Sequence, residues 1–250
     1  LATYIGWLMH GTWGGIVAGG LFVLPSLFIL IALSWIYISF GSLPIVAGLL
    51  AGIKPAVTAI VLFAAWRIGL RTLRSSALIA IAVASFIAIF VAKLPFPLIV
   101  LGAALVGAIG GKLAPAQFAP GGQQAGPADD TLALIDDNTP TPTHAVFAWR
   151  RFCAYLAAGL LLWAGAMGSL MAFNSADNTL VQMGWFFTKA ALLTFGGAYA
   201  VLPYVYQGAV ESFQWLTAQQ MIDGLALGET TPGPLIMVVA FVGYVGGWTK

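Results

Sequence analysis

The chain has 250 residues, of which 60% are hydrophobic and 7% are charged, and its mean hydropathy is +0.96. A soluble domain carries about 25% charged residues, so this chain cannot cover a water-facing surface and we predict a multi-pass protein embedded in the lipid bilayer. The net charge of +2 is too small to favour nucleic-acid binding, and the single cysteine excludes an internal disulfide.

The first 111 residues are predicted to form one membrane-embedded unit. After an opening rich in Gly and Trp, Gly15–Phe40 lacks any charge over a length that can span a bilayer, and Leu43–Trp66 forms a second span. The shorter segments Ser76–Ala92 and Leu98–Gly111 are each marginal for a hydrocarbon core of about 30 Å. We therefore expect them to form a short helical hairpin.

Arginines mark the ends of two predicted spans. Arg67, Arg71 and Arg74 follow the second span at helical spacing, and Arg150 and Arg151 precede a later one. Positive residues beside membrane spans are enriched on the cytoplasmic side. Both clusters are therefore predicted to lie in the cytoplasm.

Residues 112–150 differ in composition from the rest of the chain. They are rich in Pro, Gly, Gln and Asp, which predicts a flexible cytoplasmic linker. We do not interpret the acidic pairs Asp129-Asp130 and Asp136-Asp137 as a metal site, because no fixed scaffold brings them together. No metal or cofactor is expected.

Residues 151–250 are predicted to form a second membrane unit. The chain is predicted to cross the membrane outwards over Phe152–Phe173 and to return inwards over Met183–Tyr206. Short helices are predicted at Leu216–Gly228 and Leu235–Trp248. The expected fold class is therefore all-α, a polytopic transmembrane helical bundle that contains short broken helices.

Two helix breaks lie inside the apolar sequence of this second unit, at Gly196-Gly197 and Pro232-Gly233-Pro234. Such breaks free backbone N–H groups that suit an oxyanion, although Gly-Gly also permits close helix packing and Pro-Gly-Pro also simply ends a helix. Nearby hydroxyls add donors, and lysines add charge unless they snorkel to the headgroups. The candidate substrate-binding residues are Lys54, Lys189, Thr194, Gly196, Gly197, Tyr199, Thr230, Thr231 and Gly233.

Asp223 and Glu229 are the candidate proton-coupling residues, since an ionised group at the bilayer centre costs roughly 2.5–3.5 kcal/mol. The alternatives are that Asp223 pairs within the bundle and that Glu229 caps a helix N-terminus. The two acids lie on nearly opposite faces of a regular helix, which makes a poor catalytic pair. With no P-loop or zinc-protease motif in the sequence, we do not expect an enzyme.

A short internal sequence repeat predicts two homologous halves of inverted topology. Tyr4-Ile5-Gly6-Trp7 near the start is similar to Phe241-Val242-Gly243-Tyr244 near the end. On this interpretation, residues 1–111 are the C-terminal part of the first half, and residues 151–250 are the N-terminal part of the second.

Several motifs together resemble the chromate ion transporter family, and their order and spacing extend the resemblance over most of the chain outside the linker. The motifs are Tyr4–Trp7, Gly19–Pro25, Gly52–Val57, Phe195–Pro203, Gln220–Gly224, Pro232–Leu235 and Phe241–Tyr244. The Phe-Gly-Gly and Pro-Gly-Pro elements that the family carries in its first half are absent here, and we expect them upstream of Leu1.

The resemblance implies a bacterial inner-membrane protein that exports chromate and confers resistance to it. Sulfate is a tetrahedral dianion like chromate, so a sulfate uptake transporter and a passive oxyanion channel remain as alternatives. The expected partners are a chromate or sulfate-like oxyanion and the lipid bilayer, and a homodimer is left open. Transport would proceed by rocking of the two halves around an anion held near the helix breaks.

Overall fold

The computed structural model describes residues 1–118, 142, 144–175, 177–194 and 198–249, and all regular elements in these ranges are helical. This confirms the all-α prediction. The α-helices are α1 (Ala2–Phe40), α2 (Pro44–Thr72), α3 (Ser76–Phe90), α4 (Phe96–Leu113), α5 (Pro115–Phe118), α6 (Trp149–Phe173), α7 (Thr179–Leu192), α8 (Ala198–Tyr206), α9 (Ala218–Thr230) and α10 (Val238–Thr249). A π-helical segment (Gln207–Ser212) follows α8, and a 3₁₀ turn (Leu235–Met237) precedes α10.

Four helices of the described chain are long and apolar enough to cross a membrane, namely α1, α2, α4 and α6. Their large apolar side chains are mostly exposed on the outside of the bundle, as lipid-facing side chains are. The buried core lies instead where α1, α9 and α10 pack together and where α10 contacts α7. The multi-pass character expected from composition therefore fits the helix lengths.

Helix α1 is a hairpin of a short arm and a long arm. It is broken at His10–Gly11, where Gly11 has a φ of 64°, a conformation that L side chains rarely adopt. The short arm folds back on the long one so closely that a Cβ on Gly19 would lie 2.8 Å from Thr3 Oγ1. The opening segment rich in Gly and Trp is thus helical.

Helices α7 and α8 form a second hairpin, so the prediction of one inward span over Met183–Tyr206 is wrong. Phe186 of α7 stacks on Tyr204 of α8 at 5.0 Å between ring centroids, and Phe187 lies 6.4 Å from Trp215 further along the returning chain. The 14 residues of α7 cover only about 21 Å, less than a hydrocarbon core of about 30 Å. The segment enters and returns rather than crossing.

Helices α9 and α10 form a third hairpin. The ring of the fully buried Phe241 on α10 packs against α9 where Gly224 offers no Cβ, and the hydroxyl of Thr249 at the end of α10 lies 3.5 Å from the carbonyl oxygen of Trp215. The two arms therefore run antiparallel. The end of α10 therefore lies beside the segment that precedes α9.

The tip of this third hairpin lies beside the middle of α1. Gly233 at the tip has a φ of 144°, and a Cβ there would lie 2.6 Å from Cβ of Ser26. Ser26 is fully buried and lies roughly 21 Å from the α1 end at Phe40, at about 1.5 Å per residue. The Pro-Gly-Pro break is therefore placed near mid-depth, where broken backbone needs surrounding protein.

Most of the predicted linker, including Asp129-Asp130 and Asp136-Asp137, lies outside the described residues. At its end, His144 Nε2 donates to the carbonyl oxygen of Trp7 at 2.9 Å, with the two rings edge to face. This contact ties the start of α6 to the short arm of α1. The division into two homologous halves stays a prediction.

We expect Gly224→Ala to destabilise the protein by about 1–3 kcal/mol, because the added methyl would enter the space of the Phe241 ring. The measurement is the thermal unfolding midpoint of the purified protein in detergent. Gly165→Ala is the matched control, since a Cβ at Gly165 of α6 meets nothing within 4 Å. Equal midpoints for the two variants would contradict the close packing of α9 on α10.

Candidate functional site

A buried ion pair joins α2 to α9. Lys54 Nζ lies 2.7 Å from Asp223 Oδ1, and the two side chains are 29% and 6% exposed. A carboxylate at this depth loses most of its hydration, and the nearby ammonium offsets part of that loss. Asp223 therefore pairs within the bundle, and its role in proton coupling stays a prediction.

The second oxygen of Asp223 is held by a residue that sequence reasoning missed. The Tyr37 hydroxyl donates to Asp223 Oδ2 at 2.9 Å. The Tyr37 ring is fixed edge to face against Phe241, at 5.3 Å between centroids. Gly224 therefore acts on the site indirectly, because it admits the Phe241 ring that supports Tyr37. The amide of Gln219 adds a long contact of 3.5 Å to Asp223 Oδ1.

The ion pair forms one wall of a cavity of about 460 Å³ between α1, α2, α9 and the end of α10. This volume holds many water molecules, each of which occupies about 30 Å³, so a hydrated oxyanion fits. The cavity lies at the end of the bundle that carries the α1–α2 turn. Its polar lining consists of Tyr37, Ser42, Lys54, Gln220, Asp223 and Thr249.

Lys189 lies in a different place. It is exposed on α7 and lines a cavity of about 570 Å³ between α7, α8, the π-helical segment and the α3–α4 turn. Lys54 does not line this cavity, and Lys189 does not line the first one. The two lysines named as alternatives for one anion therefore belong to separate cavities.

The tips of the second and third hairpins meet through one hydrogen bond. The Tyr199 hydroxyl at the start of α8 donates to Glu229 Oε1 at 2.7 Å. Glu229 lies in the last turn of α9, where the helix dipole disfavours a negative charge, so the interpretation as an N-terminal cap is wrong. The residues Gly196 and Gly197 lie outside the described residues.

The threonines near the breaks bind the ends of their own helices. The hydroxyls of Thr194, Thr230 and Thr231 donate to the carbonyl oxygens of residues 190, 227 and 228 at 2.6, 2.8 and 2.9 Å. Thr231 Oγ1 also lies 3.3 Å from Ser26 Oγ, which fixes the tip to α1. In this conformation the three hydroxyl protons are occupied by the backbone.

Sequence reasoning missed Tyr37, Ser26 and Tyr204 as site residues. Tyr37 lies in the last turn of an apolar span, and aromatic residues are enriched at such positions because they favour the membrane interface. Its type and position alone therefore indicate no functional role. Ser26 reads as a helix residue beside a proline, and Tyr204 as one more aromatic side chain. Only the packing of the hairpins shows what the side chains of Tyr37, Ser26 and Tyr204 contact.

Helix hairpins that fold back beside apolar spans, together with a partly buried ion pair on a cavity wall, are features of secondary membrane transporters. The comparisons agree with this class. The family model described as chromate transporter matches residues 1–108 and 181–249, and the chain belongs to that family. Residues 109–180, which include the predicted linker, lie outside the match.

Three curated relatives match nearly the whole of this chain. A chromate transport protein of Pseudomonas aeruginosa is 32% identical over 99% of this chain, and one of Cupriavidus metallidurans is 27% identical over 98%. A probable chromate transport protein of Synechococcus elongatus is 26% identical over 98%. The chain spans about half the length of each, between 53% and 54%. No solved structure matches the chain.

We expect Lys54→Met to destabilise the fold by up to about 3 kcal/mol, because it leaves the buried carboxylate of Asp223 without its cation. The unfolding midpoint in detergent measures the effect. The double variant Lys54→Met/Asp223→Asn should recover most of the loss, because it removes both charges.

Lys112→Met is the control, since Lys112 is an exposed lysine in the last turn of α4. If Lys54→Met and Lys112→Met unfold at the same temperature, the ion pair does not stabilise the contact between α2 and α9.

Proposed function

We propose that this chain forms part of a secondary transporter that moves chromate across the bacterial inner membrane. The observation that supports this most directly is the Lys54–Asp223 pair, with Tyr37 on the second carboxylate oxygen, in the wall of an open cavity. The chain spans about half the length of the curated relatives that it matches, and the proposal concerns the activity of a whole transporter of this family.

The ion pair offers a way to couple a proton to the anion. While Asp223 is ionised, its charge is balanced by Lys54 and opposes a second anion in the cavity. When Asp223 takes up a proton, the ammonium of Lys54 and the hydroxyl of Tyr37 become free to bind an oxyanion. Anion binding and protonation of Asp223 therefore favour each other, as linked equilibria must.

The hairpin tips supply the next part of the route. Rocking that separates Tyr199 from Glu229 would release a second carboxyl, and would expose the backbone around Gly233 beside Thr230 and Thr231. The sequence predicts that Gly196 and Gly197 contribute N–H donors, and we keep this as part of the proposal. Helix breaks of this kind hold anions in other transporters by their partial positive charge.

The direction that we propose depends on the charge that moves. A chromate dianion that travels with one proton carries a net charge of −1, and a potential that is negative inside favours its exit by about 2.3 kcal/mol per 100 mV. An inward proton gradient opposes exit of the accompanying proton, so export, and with it chromate resistance, is favoured where the potential outweighs the pH gradient. The arginines of α2 and α6 would then mark the cytoplasmic side.

Sulfate uptake is the second candidate, because sulfate shares the shape and charge of chromate and an inward proton gradient drives a proton-coupled anion inwards. A passive oxyanion channel is the third. A channel needs no titratable group paired to the anion-binding lysine, so the Lys54–Asp223 pair favours the transporter.

We expect Asp223→Asn to abolish the pH dependence of chromate flux in proteoliposomes while downhill flux persists, because the amide leaves Lys54 permanently available. Glu229→Gln should alter the pH profile to a smaller extent, since Glu229 is bound only by Tyr199 among the described residues. Asp177→Asn in the α6–α7 loop is the control. An unchanged pH profile in Asp223→Asn would exclude this coupling.

We also expect an imposed potential to drive chromate movement against its own concentration gradient. An imposed proton gradient should do the same for a coupled transporter but not for a channel. Tracer flux in vesicles with a potassium diffusion potential measures the first effect, and an imposed pH step measures the second. Flux that responds to the potential but not to the pH step would favour the channel.

A further inference from the structure

The cavity that contains Lys189 has the composition of an anion site. Its polar lining consists of Lys189, Tyr204, Gln182, Gln207 and Ser212. Among the residues the structure describes, no acidic side chain lines it. It therefore differs from the first cavity, in which Asp223 neutralises the lysine.

Two hydrogen-bond donors in this cavity are unused. Within the described part of the chain, the ammonium of Lys189 has no ion-pair partner and the hydroxyl of Tyr204 has no hydrogen-bond partner. The Lys189 side chain is exposed, so its ammonium is accessible to an anion that enters the cavity, and a charged donor forms a stronger hydrogen bond to an oxyanion than a neutral donor does.

The walls of the cavity are fixed by contacts of their own. The Tyr204 ring stacks on Phe186 at an interplanar angle of 11°. The Gln207 side chain accepts from the backbone N of Phe96 at 3.0 Å and donates to the carbonyl oxygen of Leu94 at 3.1 Å. The π-helical segment is thereby held against the α3–α4 turn, and such segments are frequent at functional sites.

We propose that this cavity is a second oxyanion site, in which Lys189 supplies the charge and Tyr204 a directed hydrogen bond. The ligand chemistry is a tetrahedral oxyanion, supplied either by free chromate or sulfate or by the phosphate of a lipid headgroup. Binding at this site stands on the cavity itself. Its use as a second station on the transport route rests on the proposed function.

The test is calorimetric titration of chromate into the purified full-length protein in a maltoside detergent, which carries no phosphate. Lys189→Gln should bind one anion fewer per chain than the wild type. Tyr204→Phe should weaken that same site by about tenfold, the effect of one lost hydrogen bond to a charged group. Lys112→Gln should leave both stoichiometry and affinity unchanged, and unfolding midpoints confirm that each variant is folded.

Lys54→Gln separates this proposal from the proposed function. If the Lys189 site exists, Lys54→Gln retains it and loses only binding at the first cavity. A protein in which Lys54→Gln has no effect but Lys189→Gln loses an anion would refute the role of Lys54 and support the second site.

Added phosphatidylglycerol distinguishes the two sources of the oxyanion. A lipid that binds the wild type more tightly than Lys189→Gln, and that competes with chromate, assigns the site to headgroup phosphate. Chromate binding that depends on Lys189 and that lipid does not affect assigns it to the free anion. If neither chromate nor lipid binding responds to Lys189→Gln or Tyr204→Phe, the proposal is wrong.

Discussion

The ion pair between Lys54 and Asp223 is the interaction on which the arrangement of this bundle depends. It joins a crossing helix of the first matched segment to a re-entrant hairpin of the second. A carboxylate that is 6% exposed needs its cation, so α2 must stay against α9 while Asp223 is ionised. Packing of Phe241 on Gly224 then places Tyr37 on the remaining oxygen.

A second constraint is the absence of water in the bilayer core. Broken helices expose backbone groups, and these are tolerated only where protein or a wet cavity surrounds them. The tip at Gly233 meets this condition beside Ser26 of α1, and the Tyr199–Glu229 hydrogen bond links it to the neighbouring tip. The tip at Gly233 is therefore supported both by α1 and by the start of α8.

The two cavities differ in charge although each contains one lysine. In the first, Lys54 is paired with Asp223, whereas in the second Lys189 faces no described carboxylate. In the cycle that we propose, an anion would bind at the first cavity only when Asp223 is protonated, whereas binding at the second would need no proton.

The sequence by itself determined the membrane environment, the helical class and the family. Hydropathy and the ordered Gly and Pro motifs, on which these depend, are local properties of the chain. The sequence also identified Lys54, Asp223 and Glu229 as costly side chains that need partners. Only the tertiary structure decided which partners they have, that Met183–Tyr206 turns back, and that Lys54 and Lys189 occupy different cavities. The reason is that helix reversal and side-chain pairing depend on contacts between residues far apart in sequence, such as Tyr37 with Asp223, which no local pattern encodes.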